Sequence, residues 1–330
     1  MAFKGWEKVK IKIEGGVVEA SAPLIVSASR STDIPAFHTS WLLERLKRGY
    51  ACRINPFNGK SDYISFCNTR LIVFWSKNPS PLFPVLDELD KMGIQYLIQM
   101  TLNDYEKESY EKNVPPLSER ICTFEKLSGR VGKSRVMWRF DPLILSDQIS
   151  ARILCDKIGR IGDEIHGFTE QLTLSFLALY TKVDRNLRNA GVNIHGFDKD
   201  SISIIGDYLK VKKQHWGIDI FSCAEKQDLS RFEIEHGSCI DPELIARLFD
   251  DDPEISEFLG TGESNLFDRV PLINKKLKDP GQRELCNCIV SKDIGRYNTC
   301  PHLCIYCYAN RTPEKILKWY KSRQISGDSM

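Results

Sequence analysis

Six short apolar runs, at residues 24–29, 71–76, 96–101, 135–140, 171–176 and 217–222, punctuate the first two thirds of the chain. Between several of them lie amphipathic stretches, such as Trp41-Leu42-Leu43 with Leu46, and Ile153-Leu154 with Ile158 and Ile161. Strands that are apolar on both faces and alternate with helices demand a parallel sheet covered on both sides. Ahead of this series Val9, Ile11 and Ile13 alternate with lysines, and Gly15-Gly16 follows, which predicts a hairpin. From about 228 to 285 the rhythm stops. Asp241-Pro242-Glu243 reads as a helix start, and Asp250-Asp251-Asp252-Pro253 as a stop and a fresh start. A last helix is expected over 311–324, with Thr312 as its N-cap and Pro313 at its first position. The 330 residues can hold one large α/β domain or two smaller ones. The expected division is one domain from 1–227 and 286–330, with 228–285 a mostly helical insertion.

Polar residues sit just after the apolar runs: Arg30-Ser31-Thr32-Asp33, Lys77-Asn78, Asn103-Asp104, Asp141 and Glu225. In a β/α barrel those strand ends form the active-site face. In any α/β protein, however, polar residues follow strands because loops are wet. Arg30, Asp33 and Lys77 stand out, since charged groups flanked by apolar runs need a partner or a ligand.

The formal charge is +2 with no block of like charges, so nothing electrostatic calls for nucleic acid or an acidic membrane. No run approaches the roughly 18–20 apolar residues of a membrane span. Met1-Ala-Phe-Lys-Gly5 lacks the apolar core of a signal peptide, and a cytoplasmic location is expected. Eleven cysteines without an export signal then argue against a disulfide scaffold. Cys52, Cys67, Cys122 and Cys155 stand alone beside apolar residues, and most of them are expected in the core. The other seven crowd the last third of the chain, which points to metal.

Cys300, Cys304 and Cys307 have x3 and x2 spacing, with Tyr306 just before the last. Three thiolates from one loop can hold three irons of a [4Fe–4S] cluster and leave the fourth open, whereas structural sites normally close. Zinc on these thiolates, completed by Cys286-x-Cys288, is the alternative, although zinc more often uses two short pairs. His302 is expected to be a hydrogen-bonding residue of the loop. Cys223, Cys239, Cys286 and Cys288 are enough to close a second cluster with no open iron.

The run Tyr297-Asn-Thr-Cys300-Pro-His-Leu-Cys304-Ile-Tyr-Cys307-Tyr-Ala-Asn310 resembles the cluster loop of radical S-adenosylmethionine (SAM) enzymes, above all the spore photoproduct lyase-like branch. Ser27-Ala-Ser-Arg-Ser-Thr-Asp33 and Ser76-Lys-Asn-Pro79 look like strand ends of that branch. Together with the cysteine loop they also resemble an uncharacterised bacterial family of radical SAM-like proteins, over nearly the whole chain. The resemblance implies a partial (β/α) barrel, circularly permuted because its first loop comes last, with an N-terminal hairpin and the helical insertion. It implies one [4Fe–4S] cluster, or two, with SAM, a flavodoxin- or ferredoxin-like reductant and an unidentified substrate. No Gly-Gly-Glu segment, which in that superfamily meets the SAM amino group, is present. Arg30, Asp33 and Lys77 are therefore the candidate catalytic residues, and Ser29, Tyr306, Arg139 and Glu225 the candidate cofactor contacts. The alternatives are an iron–sulfur electron carrier or sensor without catalysis, or a zinc-stabilised binding module.

Overall fold

Eight strands, all in parallel pairs, form the main sheet of the computed structural model, which describes residues 3–55, 58–261, 275–323 and 327–330. In chain order they are β1 (Ile25–Ala28), β2 (Leu71–Ser76), β3 (Gln95–Thr101), β4 (Val136–Leu143), β5 (Gln171–Phe176), β6 (Asp219–Ser222), β7 (Glu235–His236) and β8 (Lys292–Asp293). Across the sheet the order is β7-β6-β5-β4-β3-β2-β1-β8. The six apolar runs are therefore strands β1 to β6, within two or three residues at their ends. The expected α/β class holds.

Two strands of this sheet were not anticipated. β7 and β8 are each two residues long, too short to leave a periodic signal. β7 lies inside the stretch read as a helical insertion, so that stretch also extends the sheet. It does carry the helices Pro242–Leu248 and Pro253–Leu259, capped by the side chains of Asp241 and Asp252 as expected. The segment 262–274 lies outside the described residues.

The N-terminal hairpin, Glu7–Ile13 with Gly16–Ala22, is present and belongs to a separate four-stranded sheet with Ser61–Ser65 and Tyr50–Ile54. The final helix is Pro313–Ser322; Thr312 occupies its N-cap position but makes no side-chain capping bond.

Side chains along the strands alternate between two packed faces. Val26, Ile72, Phe74, Ile98, Trp138 and Phe140 pack against helices Thr39–Arg48, Phe83–Met92, Leu117–Val131 and Ala151–Ile165. Their neighbours Ile25, Leu71, Val73, Leu97 and Met137 face the opposite way, against Ile240, Leu244, Ile245, Phe249, Leu277 and Ile289. The chain between β7 and β8 thus fills the inner face of the sheet. It carries Cys239, Cys286 and Cys288 into that interior. Every fully buried side chain of the Leu or Phe type contributes about 1.5–3 kcal/mol, so both faces stabilise the fold.

Of the four solitary cysteines, most of which are expected in the core, Cys52 and Cys155 are buried, while Cys67 and Cys122 are exposed. An apolar neighbour in sequence is no guide at a turn or on the outer face of a helix, and there the expectation fails.

Candidate metal centre

The loop holding Cys300, Cys304 and Cys307 leaves the sheet at β8, beside the C-terminal end of β1. Asp293, the last residue of β8, ties the two ends together. Its carboxylate accepts from the Arg30 backbone N–H at 2.7 Å, from Ser29 Oγ at 3.1 Å and from the Gly295 N–H at 2.8 Å. A Cβ at residue 295 would lie 1.8 Å from Ser29 Oγ, so only glycine permits this approach.

Asp33 is the second anchor. It caps the short helix Ile34–Phe37 through the Ala36 N–H at 2.9 Å and accepts from Ser76 Oγ at 2.7 Å. Its other oxygen accepts from the Lys77 N–H at 2.8 Å and from His302 Nε2 at 2.9 Å. His302 Nδ1 also faces an acceptor, the Asn113 carbonyl, at 3.2 Å. His302 is therefore the loop hydrogen-bonder anticipated from sequence, and Asp33 holds three elements in register.

The segment after β3 forms the opposite wall. Glu111 bridges to Cys304, Ile305 donates to the Tyr110 carbonyl at 3.0 Å, and Asn113 Nδ2 donates to the Pro301 carbonyl at 2.8 Å. Lys77 Nζ meets Glu111 Oε1 at 2.8 Å, the Tyr306 hydroxyl donates to the same oxygen, and Asn103 Nδ2 lies 3.2 Å away. Burial alone would raise the Glu111 carboxyl, but Lys77 and Arg120 outweigh it and hold it down at about 2. The ammonium of Lys77 also stands 5.6 Å from the Tyr306 ring.

Burial pushes the Cys300, Cys304 and Cys307 thiols up, and Lys77 partly opposes this for Cys304 and Cys307. A metal would thus displace protons on binding. All three are free cysteines, half-buried, on one loop. Soft thiolate donors in this number suit iron–sulfur or zinc and not magnesium or calcium. Among the described residues, no three His, Cys, Asp or Glu side chains are grouped as ligands of a single ion.

The other candidate residues fall in two further places. Arg139, in β4, pairs with Asp141 at 2.7 Å and points its second nitrogen at Cys239 Sγ, 2.9 Å away. Arg30 stacks over Trp75 at 5.3 Å and reaches Asp279 at 3.2 Å. Glu225 stands apart: its carboxylate accepts from the backbone of Lys226 and Gln227, and it lines a cavity of about 640 Å³ with Arg283 and Tyr180. Sequence reasoning missed Glu111, Asp293 and Arg283. None follows an apolar run long enough to be recognised, and only the chain's folding back makes them neighbours of the cysteines.

His38 supports the loop from behind, donating from Nε2 to the Thr299 carbonyl at 3.1 Å while Nδ1 is buried without a partner. Burial depresses its pKa from 6.5 to about 4. A depressed folded value means stability that is present above pH 6.5 and lost as pH falls through about 4. Urea unfolding should therefore show wild type losing about 3 kcal/mol across that window. His38→Gln should show a clearly flatter profile, and an equal pH dependence in both proteins would refute the assignment.

No helix among the described residues is long and apolar enough to cross a membrane. No curated protein matches the chain. Among solved structures, a "putative alpha-L-fucosidase" from Bacteroides thetaiotaomicron aligns at 11% identity with a TM-score of 0.24. That alignment covers 49% of this chain and 66% of the other, and a likeness this slight carries no argument about either fold or activity. The family model described as "Domain of unknown function (DUF1848)" matches residues 25–309, a span that runs from β1 through the last loop cysteine, and the chain belongs to that family.

Proposed function

We propose that this chain is an iron–sulfur protein whose three-cysteine loop carries an open [4Fe–4S] cluster, and that it acts as a radical SAM enzyme on a substrate still to be identified. The observation that supports this reading is the position of β8. It lies in parallel beside β1, so the cysteine loop follows a strand at one edge of a series whose remaining members come earlier in the chain. That is the connectivity a circularly permuted radical SAM barrel would have, and chain order does not count against it.

Cys300, Cys304 and Cys307 would hold such a cluster, which with bound SAM and one electron from a flavodoxin- or ferredoxin-like donor would supply a 5′-deoxyadenosyl radical and methionine by reductive cleavage of the sulfonium. The chain's own residues do the positioning. Asp33 holds the loop through His302, and Asp293 holds it through Ser29 and Arg30. Tyr306 is fixed by Glu111 and buried, which keeps water from that side of the loop. Lys77 places a positive charge close enough to Cys304 to favour its thiolate.

Anaerobic reconstitution, followed by dithionite and SAM, tests the reading directly. The wild-type chain should form 5′-deoxyadenosine, and Cys304→Ala should form none. A Cys304→Ala protein with undiminished SAM cleavage would overturn the assignment. Iron bound without any perturbation of its spectrum by SAM would favour an electron carrier instead.

A further inference from the structure

The cavity of about 640 Å³ that Glu225 lines opens at the C-terminal ends of β5 and β6, the end of the sheet that also carries the cysteine loop. Its size is that of a small-molecule site, and in parallel α/β sheets such sites lie beyond the carboxyl ends of the strands. One side is apolar. Phe176, Leu177 and Leu179 come from the end of β5 and the chain after it. Leu145, Ile194 and Phe197 come from the small antiparallel pair Leu145–Ser146 with Ile194–His195 and its continuation. Phe176 and Phe197 meet edge to face at 4.6 Å. Leu179, Tyr180 and Leu285 are 57%, 49% and 39% exposed, and large apolar side chains left open around one cavity mark a binding site.

The other side is charged, with Glu225 and Lys226 after β6 and Arg283 and Glu284 in the segment leading to β8. Two of these groups are anchored by one half only. Arg283 donates from Nη2 to the Cys223 carbonyl at 3.2 Å. Glu225 accepts the Lys226 and Gln227 N–H groups on Oε1, at 2.8 and 3.4 Å. Arg283 Nη1 and Glu225 Oε2 have no partner among the described residues. His195, also in the lining, is taken up by Asp147 at 2.6 Å. Between the two anchors lies Ala224, which lines the cavity with φ +50, a left-handed conformation that costs energy in any residue but glycine. Such strain concentrates where a fold positions groups for a ligand.

The lining charges balance, two acids against two bases, so a simple anion or cation would leave part of that wall unmatched. We propose that this cavity binds a free α-amino acid with a large apolar or aromatic side chain. Its carboxylate pairs with Arg283, its ammonium with Glu225, and its side chain lies against Phe176, Leu177 and Phe197. Both pairs are charge-assisted hydrogen bonds, the strong kind. Tyr180 links this cavity to the cysteine loop, since its ring is 6.5 Å from that of Tyr308, the neighbour of Cys307. Calling the amino acid a substrate rests on the function proposed above; its binding does not.

Isothermal titration calorimetry on the full chain, without SAM or reductant, tests the site. The probe is L-phenylalanine, compared with 3-phenylpropionate, which lacks the ammonium, and 2-phenylethylamine, which lacks the carboxylate. L-Phenylalanine should bind at least about tenfold tighter than either relative, because each relative loses one charge-assisted pair. Arg283→Gln should weaken L-phenylalanine and 3-phenylpropionate about tenfold and leave 2-phenylethylamine unchanged. Glu225→Gln should weaken L-phenylalanine and 2-phenylethylamine and leave 3-phenylpropionate unchanged. The unchanged probe shows in each case that the variant is folded. Equal affinity for all three, or L-phenylalanine binding that neither variant weakens, would overturn the inference. Absence of binding by all three would overturn it too, and would leave the proposed function standing on its own readout, 5′-deoxyadenosine. A chain that binds L-phenylalanine as described but forms no 5′-deoxyadenosine would uphold the cavity and sink the enzyme reading.

Discussion

Replacing Glu111 with alanine is expected to cost about 3–5 kcal/mol of stability, because it strands the buried charge of Lys77 and leaves Arg120 with only the half-exposed Glu106 as a carboxylate neighbour. The carboxylate side chain is 2% exposed, with Lys77 at 2.8 Å and Arg120 at 4.0 Å. For a chain of this size the thermal midpoint should fall by roughly 10 °C. Lys77→Met/Glu111→Leu removes both charges at once and should recover most of the loss, since a buried pair is often replaceable by packed apolar residues. A double-mutant cycle should therefore give a coupling of about 1–3 kcal/mol. If the two single losses simply add, the pair is not the linked unit described above.

The same group has a pH signature. With its folded value held at about 2, below the ordinary 4.5, Glu111 contributes stability that is present above pH 4.5 and lost as pH falls through about 2. That contribution is about 3 kcal/mol, in line with the loss expected from the alanine variant. His38 acts at higher pH, between 6.5 and about 4, so acid unfolding of the wild type should show two separable losses.

Asp33→Ala is expected to do comparable damage by a different route. Four donors, the Ala36 and Lys77 N–H groups, Ser76 Oγ and His302 Nε2, lose their acceptor together. Each buried unsatisfied group costs about 1–3 kcal/mol, and relaxation offsets part of the sum, leaving a net loss of about 3–5 kcal/mol. Hydrogen exchange should locate the effect. Amides from Thr299 to Tyr308 should exchange at least tenfold faster in the variant. Those of β4 and β5, which Asp33 does not touch, should lose only the protection that follows the global stability. Uniform acceleration across all strands would mean that Asp33 supports the fold in general and does not dock the loop. Asp33→Asn keeps an oxygen for two of the four donors and should fall between the variant and wild type.

Most of the fold was legible in the chain. Six of the eight strands were visible as continuous apolar runs because burial on both faces leaves no room for polar residues. Asp241 and Asp252 were readable as caps because a carboxylate before Pro at a helix start has one local role. β7 and β8 were not readable. Two residues have no period, and their strand character exists only because β6 and β1 offer free edges. Cys67 and Cys122 show the same limit, since side-chain direction on a turn or a helix surface is decided by what lies across from it.

The candidate centre divides along the same line. Local spacing determined that Cys300, Cys304 and Cys307 lie on one loop, because x3 and x2 separations keep them close in the chain whatever surrounds them. It also marked Arg30, Asp33 and Lys77 as charges in need of partners. Only the tertiary structure decided who those partners are: Asp279, His302 and Glu111, lying 249, 269 and 34 residues away. It alone buried Cys223, Cys239, Cys286 and Cys288 together against one face of the sheet. Covalent spacing sets what a few neighbouring residues can hold. Contacts across hundreds of residues arise from packing both faces of a sheet, and no local pattern encodes them.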